Sequence, residues 1–123
     1  MAVSLGPAPP VTWLENREEA TARGVRDGKP ILVFVVASWQ PRTQYLDRTL
    51  WSDDDVRRAA SDVVPVRVDA SDPDDAALEH WLTERGIDHV PAVGLLQPDG
   101  TVVGVLTGPE VSKPRVLRLL RRP

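Results

Sequence analysis

The 123-residue chain contains no cysteine. That absence removes disulfides, thiolate metal ligands and any thiol nucleophile together, and it removes redox compartment as a clue to location. Histidine is scarce as well. His80 and His89 are the only two, with no third ligand at metal spacing and no Ser, His and Asp order that would announce a nucleophile triad. No apolar run approaches the span of a bilayer, so no transmembrane helix is expected. The opening MAVSLGPAPP has no cationic start and no continuous apolar core, so it does not read as a secretory signal. A cytoplasmic location follows as the expectation, or an extracytoplasmic one if the chain has been trimmed. With a net charge of −3 there is no basic excess to favour nucleic acid or an anionic membrane. Internal repeats are missing too.

What is present suits one soluble domain. Hydrophobic residues make up 41% and charged residues 27%, and a chain of this length can bury roughly two-thirds of its unfolded surface without staples. Residues 1–10, with three prolines and a glycine, read as a flexible leader, and 11–123 as the domain. Residues 29–43, KPILVFVVASWQPRT, stand at its centre. Ile31, Leu32, Val33, Phe34, Val35, Val36 and Ala37 form an unbroken apolar run rich in β-branched residues, which predicts a strand buried on both faces. Pro41 then stands where a helix can begin, because the first turn has no use for the N–H that proline lacks. A buried strand running through a tight bend into a helix is where α/β folds place their chemistry.

Here the sequence resembles a known family. Lys29-Pro30, the apolar strand, Ala37-Ser38-Trp39, then Thr49-Leu50-Trp51-Ser52-Asp53 and Val56 are similar to thioredoxin-like domains of the type found at the C-terminus of the disulfide interchange protein DsbD. In that pattern K-P and a strand lead into A-x-W-C-x-x-C, a helix and T-F-S-D-x-x-V. Val90-Pro91 matches the family's cis-proline loop, and only the resemblance implies a cis bond there, since X-Pro statistics alone favour trans. The likeness runs from about Trp13 to Leu120. It implies a thioredoxin-like α/β fold, a central mixed β-sheet flanked by helices.

The functional motif is where the chain departs. The family's two cysteine positions fall on Gln40 and Thr43, and neither an amide nor a hydroxyl can replace the thiolate of disulfide exchange. Many relatives carry an acidic residue inside the central strand; here Phe34 occupies it, the more stable choice once cysteine chemistry is gone. These changes together read as coordinated divergence. Asp47 aligns with a second acidic position of the family and reads as a solvated helix residue.

Taken in order, Val11 to Leu14 suggest a short first strand with Trp13 as a packing residue. Asn16 and Glu19 open a helix through Arg26, with Ala20 and either Gly24 or Val25 on the inner face and Asp27-Gly28 closing it. Lys29 reads as a solvated loop residue. The helix over 41–50 is expected to present Tyr45, Leu46, Thr49 and Leu50 to the sheet. Ser52 and Asp55 form a capping pair for a short helix to Ala60, which makes Asp53-Asp54-Asp55 helix-dipole chemistry. Val63 to Asp69 predict a strand that Pro65 confines to an edge. Residues 71–75 cap a helix with Ala77, Leu78, Trp81 and Leu82 inward, ended by Gly86; the aspartates there lack the spacing of a calcium loop. Ala92 to Leu96, a Pro98-Asp99-Gly100 turn and Thr101 to Thr107 predict a hairpin. Ser112 is the expected cap of a last helix over 113–122, whose Val116, Leu117, Leu119 and Leu120 are apolar and whose arginines are solvated.

The surface the resemblance leaves for function is the groove beside the bend, where the family pairs with extended substrate backbone. Trp39, Arg42, Val90 and Pro91 are the candidate partner-binding residues; Gln40, Pro41, Arg42 and Thr43 are the degenerate active-site positions. Trp39 is either an exposed anchor or packed on its own loop, and Arg42 either pairs with a partner's carboxylate or is solvated. The preferred reading is a redox-inactive thioredoxin-like module that binds protein or extended peptide, with no catalytic residue, metal, cofactor or nucleic acid. The alternatives are an enzyme with non-thiol chemistry at Thr43 or Asp47, and a structural domain of a larger assembly.

Overall fold

A computed structural model describes residues 6–121. The chain forms α1 (Arg17–Asp27), β1 (Ile31–Val36), α2 (Pro41–Thr49), α3 (Asp54–Ala60), β2 (Val64–Asp69), α4 (Ala76–Glu84), β3 (Ala92–Leu96), β4 (Val102–Thr107), a single 3-10 turn (Gly108–Glu110) and α5 (Lys113–Leu120). One mixed sheet runs β2-β1-β3-β4. β2 lies parallel to β1, while β3 pairs antiparallel with both β1 and β4.

Because strand side chains alternate, β1 feeds two cores. Leu32, Phe34 and Val36 join Leu46, Leu50, Trp51, Val56, Val116 and Leu119 on one face, and Ile31, Val33 and Val35 join Ala20, Val66, Leu78 and Leu82 on the other. All six β1 residues are buried, as the continuous apolar run predicts. Phe34 is fully covered and packs against Trp13 and Trp51 at ring-centroid distances of 5.6 and 5.1 Å, with the two indoles edge-on at 5.0 Å. Full burial of such a side chain contributes about 1.5–3 kcal/mol.

Between Gly24 and Val25 the structure selects the glycine. A Cβ at Gly24 would lie 2.9 Å from the Lys29 carbonyl oxygen, whereas Val25 is 66% exposed. β2 is an edge strand, and its proline is tolerated for a geometric reason. The Val64 N–H donates inward to the Pro30 carbonyl and the Arg67 N–H outward to Leu14, so the N–H that Pro65 lacks belongs to the outer side. The expected first strand shrinks to one bridge, Leu14 with Val66. The hairpin of β3 and β4 is present, with the Gln97 N–H donating to Thr101 at 2.8 Å.

Other expectations need correction. On α2 the buried positions are Thr43, Leu46 and, just past its end, Leu50, while Tyr45 is 51% exposed and Thr49 is exposed. The buried set follows the spacing i, i+3, i+7, and Tyr45 and Thr49 lie one step round the helix. The cap of α3 is Asp53, whose carboxylate accepts from the Asp55 and Val56 N–H groups at 2.9 and 3.2 Å; the Ser52 hydroxyl turns back to the Arg48 carbonyl. Ser112 makes no side-chain cap bond. Ala77 is exposed, and Trp81 is half-buried between the guanidinium groups of Arg17 and Arg85, 4.9 and 4.2 Å from its ring. Of the expected leader, residues 1–5 lie outside the described residues. At residue 8 the chain is tied to α3, the Ala8 N–H donating to Asp54 at 2.8 Å.

Candidate functional site

The bend forms at the carboxyl end of β1, between the loops that follow β2 and precede β3. The Gln40 N–H donates to the Ala37 carbonyl at 3.0 Å, which closes a tight turn over Ser38 and Trp39. The Ser38 N–H donates to the Ser71 hydroxyl at 2.7 Å, fixing the bend to the loop after β2. Pro41 opens α2 with Gln40 as N-cap, its side-chain oxygen facing the Arg42 N–H at 3.4 Å.

The Gln40 amide also reaches across to the other loop. Its Nε2 donates to the Val90 carbonyl at 3.2 Å, so the two ends of the candidate groove are joined by the residue standing where the family has its first cysteine. The Val90–Pro91 peptide is cis. Pro91 is buried, and its carbonyl accepts from the Gly108 N–H at 2.9 Å. Residues 39–43 and the Val90-Pro91 peptide are therefore neighbours.

Thr43, at the second cysteine position, is 6% exposed, and its hydroxyl has no hydrogen-bond partner. Trp39 is 64% exposed. Arg42 is directed away from solvent. Its Nη2 donates to the Val111 carbonyl at 3.1 Å, and its guanidinium lies 6.0 Å from the Tyr45 ring.

Asp47 is not the solvated residue expected. Both of its oxygens accept from Arg67, at 3.0 and 2.9 Å, in a fork-to-fork pair between α2 and β2. The Arg67 guanidinium also lies 5.3 Å over the Phe34 ring, so the pair covers the apolar residue at the family's acidic position. Asp47, then Asp69 and Glu15, hold the Arg67 pKa above its usual value. The Asp69 carboxyl is held below the usual carboxylate range by hydrogen bonds from Ser71 and by Arg67. The sequence did carry a signal for this pair: Arg67 sits alone among the valines of β2, opposite Phe34 in register, and a charge in an apolar strand requires a counter-charge.

Neither non-thiol alternative gains a base. Asp47 is committed to Arg67, and the Thr43 hydroxyl has nothing to accept its proton. His80 pairs with Glu84 and His89 with Asp88 on exposed surface. Among the described residues no group of three or more histidines and carboxylates is placed to hold a metal ion, and no helix is long and apolar enough to cross a membrane.

Residues 12–98 match a family described as Thioredoxin-like. No curated protein matches the sequence. Solved structures superpose over most of the chain. A thioredoxin from Thermus thermophilus gives a TM-score of 0.73 at 21% identity, covering 92% of this chain and 86% of its own. The reduced DsbD C-terminal domain of Neisseria meningitidis gives 0.69 at 17%, covering 84% and 90%. A disulphide isomerase from Xylella fastidiosa Temecula1 gives 0.65 at 23%, covering 84% of each. At these identities the likeness is one of fold.

Proposed function

This chain belongs to the thioredoxin-like family, and on that premise we propose that it is a redox-inactive member whose bend and cis-proline loop serve as a docking groove for protein or extended peptide. The observation that carries the reading is the Gln40 to Val90 hydrogen bond at 3.2 Å with Trp39 standing 64% exposed beside it. An amide in the first cysteine position keeps the two walls of the groove together without sulfur. An exposed indole on a turn is costly to leave in water and is the side chain most often found as an interface anchor. Trp39 is the proposed anchor, the Val90 N–H is the backbone group proposed to meet an extended segment, since the Val90 and Pro91 carbonyls already accept from Gln40 and Gly108, and Arg42, held on Val111, fixes the far side of the bend.

Thiol-disulfide exchange needs a thiolate, and the chain has none to offer. Insulin reduction with a dithiol reductant is therefore expected to run at the no-protein rate. The docking reading is tested by partner capture from a lysate with wild type and Trp39→Ala side by side. Captured partners should be lost or much reduced with the variant while its melting temperature stays close to wild type. Equal capture by both proteins would remove Trp39 from the interface.

A further inference from the structure

We propose that the segment docking in this groove is cationic, an extended peptide bearing lysine or arginine, with a basic side chain entering the cavity behind the bend. This rests on the docking reading above and adds the chemistry of the partner.

A cavity of about 550 Å³ opens at the carboxyl ends of β1 and β2. Glu15 and Asp69 form part of its wall, Gln40, Thr43 and Gln44 of α2 another, and Arg67 a third. Arg67 is paired with both oxygens of Asp47 and also feels Asp69 and Glu15, so one cation faces three carboxylates and the lining carries an excess of negative charge. Asp72, Asp74 and Asp75 follow on the loop that the Ser38–Ser71 hydrogen bond ties to the bend. Among the described residues, none of these five carboxylates lies within ion-pair distance of a cation.

Acidic side chains alone would describe a solvated loop. Here a second feature lies in the same place: Thr43, 6% exposed, is one of the lining residues, and its hydroxyl is buried just beneath that wall with no partner among the described residues. A donor-rich head group such as an ammonium or guanidinium can satisfy that hydroxyl oxygen and the carboxylates together once the side chains at the floor adjust. Trp39, between the lining residues Ser38 and Gln40 in the chain, is exposed, and the face of an indole attracts cations. A net excess of one sign of charge in a cleft also raises the local concentration of an oppositely charged partner.

The test is a titration of isotope-labelled full chain with three blocked peptides that alternate valine with lysine, serine or glutamate, following the amides of residues 38–40, 42–44, 69–71 and 88–90. The lysine peptide should move these amides with an affinity at least ~10-fold above the serine peptide, the glutamate peptide should not bind, and added salt should weaken the lysine complex. A Glu15→Gln and Asp74→Asn double variant, whose altered side chains make no capping bond in the structure, should lose most of the lysine preference at unchanged melting temperature. Equal affinity for all three peptides at these amides would overturn the cationic partner and leave the docking reading standing. Absence of any shift with all three peptides would overturn both. Lysine binding that moves only amides elsewhere would overturn the assignment of the cavity.

Discussion

Two regions on either side of the bend have met the loss of sulfur differently. Behind it, the family's acidic position is filled by Phe34, packed on Trp13 and Trp51 and roofed by the Asp47–Arg67 pair, so that an apolar ring and a matched ion pair fill the space. At the bend itself the replacement is uneven. Gln40 uses both ends of its amide, capping α2 and holding Val90, whereas the Thr43 hydroxyl is buried with no partner, and Trp39 faces solvent. Neither region is fully satisfied from within: behind the bend the Trp51 Nε1 is buried without a partner among the described residues, as the Thr43 hydroxyl is at the bend. A rim can leave groups for something else to satisfy. What differs is access: Trp51 lies in the core, whereas Trp39 and the wall around Thr43 border solvent.

The sharpest way to break this contrast is to return an acid to the strand. Phe34→Ala should cost about 3–5 kcal/mol by cavity formation, and Phe34→Asp should cost more at neutral pH because a carboxylate is then buried with its natural counter-charge, Arg67, already taken by Asp47. A buried carboxyl has its folded-state pKa raised above the unfolded value. Its neutral form therefore persists in the folded state up to that raised pKa, and stability, fully kept below the unfolded pKa, falls as pH rises from the unfolded to the folded value. The aspartate variant should approach the alanine variant in acid and fall below it near neutrality, measured by urea unfolding across pH. An aspartate variant more stable than the alanine variant at neutral pH would mean that Arg67 is free to pair with it.

Next in size is the roof. Asp47→Ala leaves the Arg67 guanidinium half-buried without its counter-charge; with the side chains 37% and 28% exposed, solvent takes up part of the loss. A destabilisation of about 1–2 kcal/mol is expected by thermal or urea unfolding, between the values for exposed and buried pairs. A change within error would show the pair to be ornamental. Gln40→Ala follows at about 1 kcal/mol, the sum of a weak cap and one amide-to-carbonyl bond. Its more telling consequence is faster amide exchange in residues 88–91 if Gln40 is what holds that loop; unchanged exchange would locate the restraint elsewhere.

Elements carried by short-range pattern were legible in the sequence. The unbroken apolar run of β1, Pro41 at a helix start, Pro65 on an edge and the Pro98-Asp99-Gly100 turn each act through local sterics or hydrogen bonding, and each stands where expected. Facing and pairing were less legible. Tyr45 and Thr43, two residues apart, lie on nearly opposite sides of α2; apolarity favoured the tyrosine, whereas the sheet selected the side that begins at Thr43. The partner of Asp47 lies 20 residues away on another element, beyond any helical spacing. Ser52 and Asp53 are both good caps, and only the backbone path decided between them. The exposure of Trp39 likewise depends on which surfaces the finished fold leaves uncovered.

The smallest expected effect bears most directly on the rim. Thr43→Val replaces a buried hydroxyl that has no partner by a methyl of similar shape. An unsatisfied buried polar group costs about 1–3 kcal/mol, and exchanging it for an isosteric apolar one is neutral or stabilising. Valine and threonine have nearly equal helix propensities, so that contribution drops out. The net expectation is a gain of up to about 1 kcal/mol in urea unfolding. Binding at the groove should move the opposite way, because the valine cannot accept from a ligand in the cavity. A clear loss of stability on Thr43→Val would mean that the hydroxyl is satisfied within the free protein, and position 43 would then belong with the interior rather than with the rim.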